Sequence, residues 1–212
     1  MGKITNGILG AFSGRVGQVI GASWKGIDYM RSLPNPSSKP RTDAQKAQTS
    51  KMSLFRGFLL GIDKMVEKYF QNFAAYTEMN GALSYNMKFA VGGSYPNLVV
   101  DFPGLVNAKG ELLSCWNPKG LSKATNTVTV SWKNRPYSNM SAAEDIISVV
   151  MYSTQKKQFH IFESVAIRSD KSVTLALPEG ETSKFLHCYL NFYSENLKIS
   201  STNEYLGEVI IN

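Results

Sequence analysis

Side chains that can move protons or bind metals near neutral pH are few in this chain of 212 residues. There are two histidines, His160 and His187, and neither has a partner at metal-ligand spacing or stands in a His-Glu-x-x-His frame. Both read as structural, His160 as one position in an exposed or half-buried strand. The two cysteines, Cys115 and Cys188, lie far apart, which agrees with a reducing compartment. In FLHCYLNFY the residues Leu186, Cys188, Leu190 and Phe192 alternate onto one face, so Cys188 reads as a small buried hydrophobe. Pairing of the two thiols is left to geometry. The acids Glu144 and Asp145 belong to a loop, RPYSNMSAAED, while Glu179 and Glu181 flank Gly180 in a turn after Pro178. Adjacent acids in turns solvate loops, and general acid or base work is not expected of them. No G-x-S-x-G elbow, G-x-x-x-x-G-K-[ST] loop or G-x-G-x-x-G fingerprint occurs. The expectation is a protein that is not an enzyme, with no catalytic residues, no cofactor and no bound metal.

Charge is more informative. The formal net charge is +7, and residues 1–60 hold nine basic side chains against two acidic ones, Asp28 and Asp43. Residues 61–212 hold fourteen of each sign, so the whole excess sits in the leading segment. A basic arm on a neutral body is the electrostatic footprint of something that meets a polyanion or an acidic protein surface. Within that arm Lys25 and Arg31 flank the rings of Trp24 and Tyr29, a mixture that suits nonspecific, salt-dependent binding to nucleic-acid backbones.

The arm must also be given a backbone. In NGILGAFSGRVGQVIGASWKG five glycines, from Gly7 to Gly21, recur at steps of three and four. As a helix they would cost about 4 to 5 kcal/mol relative to alanine, with nothing to offset it. Extended structure fits better: Val16, Gln18, Ile20, Ala22 and Trp24 fall on one side, and Gly17, Val19, Gly21 and Ser23 on the other. Lys25-Gly26 offers a tight turn and IDYMRS a second strand, predicting a hairpin near 16–32. An isolated hairpin is marginal in water, so this one needs a partner surface.

LPNPSSKPR then reads as an extended linker, and Thr42 with Gln45 forms a capping box. Ala47, Leu54, Phe55, Phe58, Ile62, Met65, Val66, Tyr69 and Phe73 keep helical spacing, predicting an amphipathic helix to about Thr77, kinked or interrupted at Gly57 and Gly61 and ended by Asn80-Gly81. From about Leu98, seven β-runs follow: LVVDF, TVTVSW, DIISVVMY, QFHIFESVAI, SVTLAL, FLHCYLNFY and EYLGEVII. That is the density of an immunoglobulin-like sandwich. Val128, Val130 and Trp132 should point inward. With Trp132 on the second run and Leu175-Ala-Leu-Pro178 before Tyr189 on the sixth, this part resembles a fibronectin type III module, with RPYSNMSAAED as an insertion.

At the other end, G-R-V-G-Q-V-I-G followed by W-K-G, R-S-x-P and P-R-T-D-A-Q resembles a family of small uncharacterised bacterial proteins. A proline-flanked T-x-x-Q segment opening an amphipathic helix is similar to proteins encoded by phages and prophages, and implies an assembly or virion-like setting. Neither resemblance supplies an activity.

The fold expected is mainly β with one long helix: a basic arm over 1–41, a helix over 42–80, a connector over 81–97 and a sandwich over 98–212. The function expected is a noncatalytic structural or interaction protein, phage-like in setting. It would dock on a protein partner or a second copy through Arg15, Val16, Val19, Ile20, Trp24, Lys25 and Arg31, the apolar residues as anchors and the cations as choosers of an acidic partner. The alternative is nonspecific nucleic-acid binding by the same arm. No stretch approaches the roughly 20 apolar residues of a membrane span, and no secretion signal is read, so a cytoplasmic or virion-associated location is expected.

Overall fold

In IISVVMYS and FLHCYLNFYS both faces of the strand are apolar or aromatic, a pattern that requires cover on both sides of the sheet. The computed structural model shows how that cover is supplied; it describes residues 3–4, 10–24, 26–71, 76–122, 124–178 and 185–211. The chain forms two compact units, Met1–Thr42 and Asp43–Asn212.

The larger unit is a three-layer body. Strands β9 (Ile146–Ser153), β10 (Gln158–Ile167), β12 (Phe185–Ser194), β13 (Ile199–Ser200) and β14 (Glu204–Ile210) form one antiparallel sheet, with β9 between β10 and β12, and β14 on the other side of β12. Strands β7 (Trp116–Leu121), β8 (Thr127–Lys133) and β11 (Ser172–Ala176) form the second, ordered β11-β8-β7. Val128, Val130 and Trp132 meet Ile147, Val149, Met151, Leu186, Cys188, Leu190 and Phe192 between the sheets, as the alternation requires. This is a β-sandwich.

The opposite face of β9 and β12 carries Val150 and Tyr189, and a helical layer covers it. Helix α1 (Asp43–Leu59), a 3-10 turn (Leu60–Ile62) and α2 (Asp63–Tyr69) bury Phe55, Leu59, Ile62, Met65, Val66 and Tyr69 there. The helix expected to reach Thr77 therefore stops at Tyr69, and Phe73 lies outside the described residues. Thr77 instead begins α3 (Glu78–Phe89), its side chain accepting from the Asn80 amide at 3.3 Å. Asn80-Gly81, expected to end a helix, sits inside this one. The stretch 81–97, expected as a connector, holds most of α3 and the hairpin β5 (Val91–Ser94) and β6 (Asn97–Val100). LVVDF accordingly belongs to that hairpin. The first sandwich strand is WNPKGL, which is not among the expected β-runs: Pro118 and Gly120 interrupt its pattern, and Asn117 is left-handed (φ 46°). A register shift between Trp116 and Lys119 absorbs the irregularity.

Polar side chains lock the layers. Asn86 of α3 donates from Nδ2 to the Ala82 and Val106 carbonyls, and its Oδ1 accepts from the Val106 amide. Asn203 accepts the Asn107 and Ala108 amides and donates to the Leu105 carbonyl. At one end of the sandwich Arg168 and Asp145 are 0% and 1% exposed and form an ion pair, Nε to Oδ2, of 2.9 Å. Arg168 also donates from Nη2 to the Leu113 carbonyl, stands over the Phe192 ring at 3.9 Å, and offers its own carbonyl to Trp132 Nε1. Asp145, expected to solvate its loop, is thus a buried clasp, and Oδ2 also accepts the Ala142 amide.

Two glycines of the helical layer differ in what they permit. A Cβ on Gly57 would meet open space, whereas one on Gly61 would lie 2.6 and 2.8 Å from ring atoms of Phe159. Gly57 stays within α1 and only Gly61 falls in the 3-10 interruption. Gly57→Ala should raise the unfolding free energy by about 0.5–1 kcal/mol. Gly61→Ala should lower it by about 1–3 kcal/mol, read by urea unfolding of both variants beside the parent. In the same assay Arg168→Met, which strands the Asp145 carboxylate, should cost about 3–5 kcal/mol.

Candidate functional site

The amino-terminal unit is an antiparallel sheet of β1 (Lys3–Ile4), β2 (Phe12–Val16), β3 (Val19–Trp24) and β4 (Ile27–Ser32), in that order. The expected hairpin near 16–32 is present as β3 and β4. The strand expected to run unbroken from Arg15 to Trp24 is not, because Gly17 and Gln18 form a two-residue turn between Val16 and Val19. Gly17 has φ +58° while Gln18 is not left-handed, the combination that a type II′ hairpin turn uses. Gly26 has φ +77° in the next turn; Lys25 lies outside the described residues.

The extra turn moves one of the expected anchors to the other face. Residues directly opposite across strands share a face. Arg15, Ile20 and Arg31 therefore form one row across three strands, with Ala22 opposite Tyr29 and Trp24 opposite Ile27 on the same side. Val16, expected beside Ile20 and Trp24, lies instead with Val19 and Ser32 on the reverse side, where Gly14, Gly21 and Met30 form the next row. The glycine-rich face is covered at Gly21, since a Cβ there would run into the carbonyl and ring of Phe12. Arg15 bends back to donate from Nε to the Gly17 carbonyl at 3.0 Å.

What this sheet lacks is an interior. Among its described residues Gly21 alone is buried, while Ile27 is 65% and Met30 71% exposed, and Val16, Val19, Trp24 and Tyr29 are exposed with them. Every residue of β4 is exposed, and β4 is an edge of the sheet. The sequence reading singles out Tyr29 beside Trp24, but neither Ile27 nor Met30. Beside them a hollow of about 410 Å³ is lined by Gly10, Ala11, Phe12, Asp28, Tyr29 and Met30.

The groups able to do chemistry are placed elsewhere and apart. Among the described residues no three of His, Cys, Asp and Glu come together as a metal set. Cys115 and Cys188 are free and buried, and burial pushes their thiols up to about 11 and about 12. Such thiols are poor nucleophiles. Glu179 and Glu181 lie outside the described residues. His160 is buried in β10, and His187 stands across from Glu208 in the sheet. The His187 ring stacks on Phe102 with centroids 3.8 Å apart, and its Nδ1 is 2.8 Å from the Tyr205 hydroxyl. Phe58, Phe102, Tyr152 and Phe159 wall a hollow of about 520 Å³ on the helical side. Their rings lie 4.7–6.2 Å apart and pack chiefly on one another.

Residues 11–207 match DUF6266, a family of unknown function, and the chain belongs to that family. The match takes in strands β2 to β4 of the arm as well as nearly all of the body. No curated protein matches the chain. No helix among the described residues is long and apolar enough to cross a membrane.

Burial holds the His187 imidazolium below the ordinary value of 6.5, against a weaker upward pull from Glu208. The folded state therefore binds this proton less readily than the unfolded chain. The stability tied to neutral His187 is fully present above pH 6.5 and is lost as pH falls through the folded value. Unfolding free energy measured from about pH 7.5 to about pH 5 should fall, and His187→Phe, which keeps a ring on Phe102, should flatten that fall.

Proposed function

We propose that this member of the family is a noncatalytic interaction or assembly protein that docks through its cationic amino-terminal sheet. The observation that carries this reading is a sheet with apolar side chains on both faces and, among its described residues, only Gly21 buried. Units below about 40 residues usually need a disulfide, a metal or association to persist. Both cysteines belong to the body, so association is the staple open to residues 1–42. Val16, Val19, Ile20 and Trp24 serve as apolar anchors. Arg15 and Arg31 place cations on the face that bears Ile20 and Trp24, with Lys25 between them in sequence. The exposed edge β4 supplies main-chain donors and acceptors for strand addition.

One observation favours a second reading, nonspecific binding to nucleic acid. Arg15 and Arg31 flank Ile20 in one cross-strand row, on the face that also bears Trp24 and Tyr29. Cations and rings on a common face suit a polynucleotide backbone with stacked bases.

The test compares the full chain with a chain beginning at Asp43, by light scattering and heat unfolding, and titrates both with unrelated DNA and RNA at rising salt. On the docking reading the two melt alike, because both apolar cores lie within Asp43–Asn212. Only the full chain associates, and neither binds polynucleotide at low salt. Binding by the full chain that weakens steeply with salt would replace the first reading with the second. Equal association states, with no polynucleotide affinity in either, would end both.

A further inference from the structure

We propose that the partner of the arm is a second copy of this chain, joined β4 to β4 as antiparallel edges about a two-fold axis through Met30. The inference rests on the docking reading above and names its partner.

The first argument is the direction of the backbone groups. The Leu33 amide donates to the Gln18 carbonyl, and the β3–β4 register continues as Ile20↔Arg31, Ala22↔Tyr29 and Trp24↔Ile27. Hydrogen-bonded pairs in an antiparallel ladder recur every second residue. The odd residues of β4 are therefore spent on β3, and Asp28, Met30 and Ser32 turn their N–H and C=O groups outward along the free edge. Between Ile27 and Ser32 there is neither proline nor lysine, the residues that commonly blunt an edge; Pro34 and Pro36 come only after it.

The second argument is register. A two-fold axis normal to the sheet keeps each face on its own side, so it pairs even residues with even and odd with odd. With the axis at Met30, Asp28 pairs with Ser32 of the second copy, Met30 with Met30, and Ser32 with Asp28. All three outward-facing residues are then used, for about six hydrogen bonds. On the other face Tyr29 lies opposite Arg31 of the second copy, twice, in the closer non-hydrogen-bonded pairing where a guanidinium can cover a ring. Neighbouring registers are worse. An axis at Tyr29 keeps only about four of the bonds. Axes at Asp28 or Arg31 set like charges directly opposite each other.

The pairing makes a continuous sheet of two arms and sets the exposed Ile27, Tyr29 and Met30 beside side chains of the second copy on their own faces. Because each arm carries six basic side chains against Asp28, the two repel and added salt strengthens this dimer, whereas it weakens contact with a polyanion.

The test is made on the full chain. Met30→Cys, treated with a bis-maleimide whose arms span about 8 Å, should give a covalent dimer, since facing residues lie about 5.5 Å apart. Ile27→Cys should not, because its two copies would stand about 20 Å apart along the strands. Cys115 and Cys188 are buried and stay silent. Met30→Pro, which removes the central N–H from both copies, should weaken dimerisation about 30-fold by light scattering. If the parent chain associates but Met30→Cys fails to cross-link, or Ile27→Cys cross-links equally well, the pairing is wrong and docking through the arm stands. If deletion of the arm leaves the association state of the parent unchanged, docking itself is wrong and the pairing goes with it.

Discussion

A sheet that is apolar on both faces cannot rest with one of them in water, and this constraint organises the body. Strands β9 and β12 are buried almost throughout their length. Ile147, Val149 and Met151 look toward the three-stranded sheet, while Val150 looks toward the helices. Each of those strands would expose a row of large side chains if either outer layer were removed. At about 25 cal/mol per Å² of apolar surface, such exposure would outweigh most local preferences. The helices therefore belong to the sandwich as its third layer. Asn86, Asn203 and the Arg168–Asp145 pair satisfy backbone and charge where layers and loops meet.

The arm is the counterpart. It has strands, turns with the glycines they need, and six basic side chains against Asp28, yet among its described residues no second layer of its own. In the body both thiols are buried and both histidines are built into strands. Among the described residues the short leading unit exposes Val16, Val19, Trp24, Ile27, Tyr29 and Met30 together. Division into a body with two apolar cores and a cationic sheet in which Gly21 alone is buried among the described residues is the observation from which the docking proposal starts.

Much of the site could be read directly from residue order. Strand character in the arm follows from the cost of five glycines in a helix and from the alternation after Arg15. The location of the charge needs only the sequence. What could not be read was the turn at Gly17-Gln18, because VGQV continues an alternating pattern as readily as it reverses one. That ambiguity placed Val16 beside Ile20, whereas it sits with Val19. Ile27 and Met30 were passed over for a related reason: alternation says which residues share a face, and exposure depends on whether anything covers that face.

The local elements of the body were legible wherever a period was clean. Val128, Val130 and Trp132 point inward, as do Leu186, Cys188, Leu190 and Phe192, because alternation at period two is a property of the extended chain itself. Tertiary structure alone decided that WNPKGL is a sandwich strand despite its proline, that LVVDF belongs to another hairpin, and that the helices cover the second face of the sheet. It also decided that Asp145 meets Arg168 across 23 positions. Hydrogen bonding along a segment depends on neighbours in sequence, but pairing of edges, covering of faces and burial of charge depend on segments far apart in the chain, and no local pattern records which of them meet.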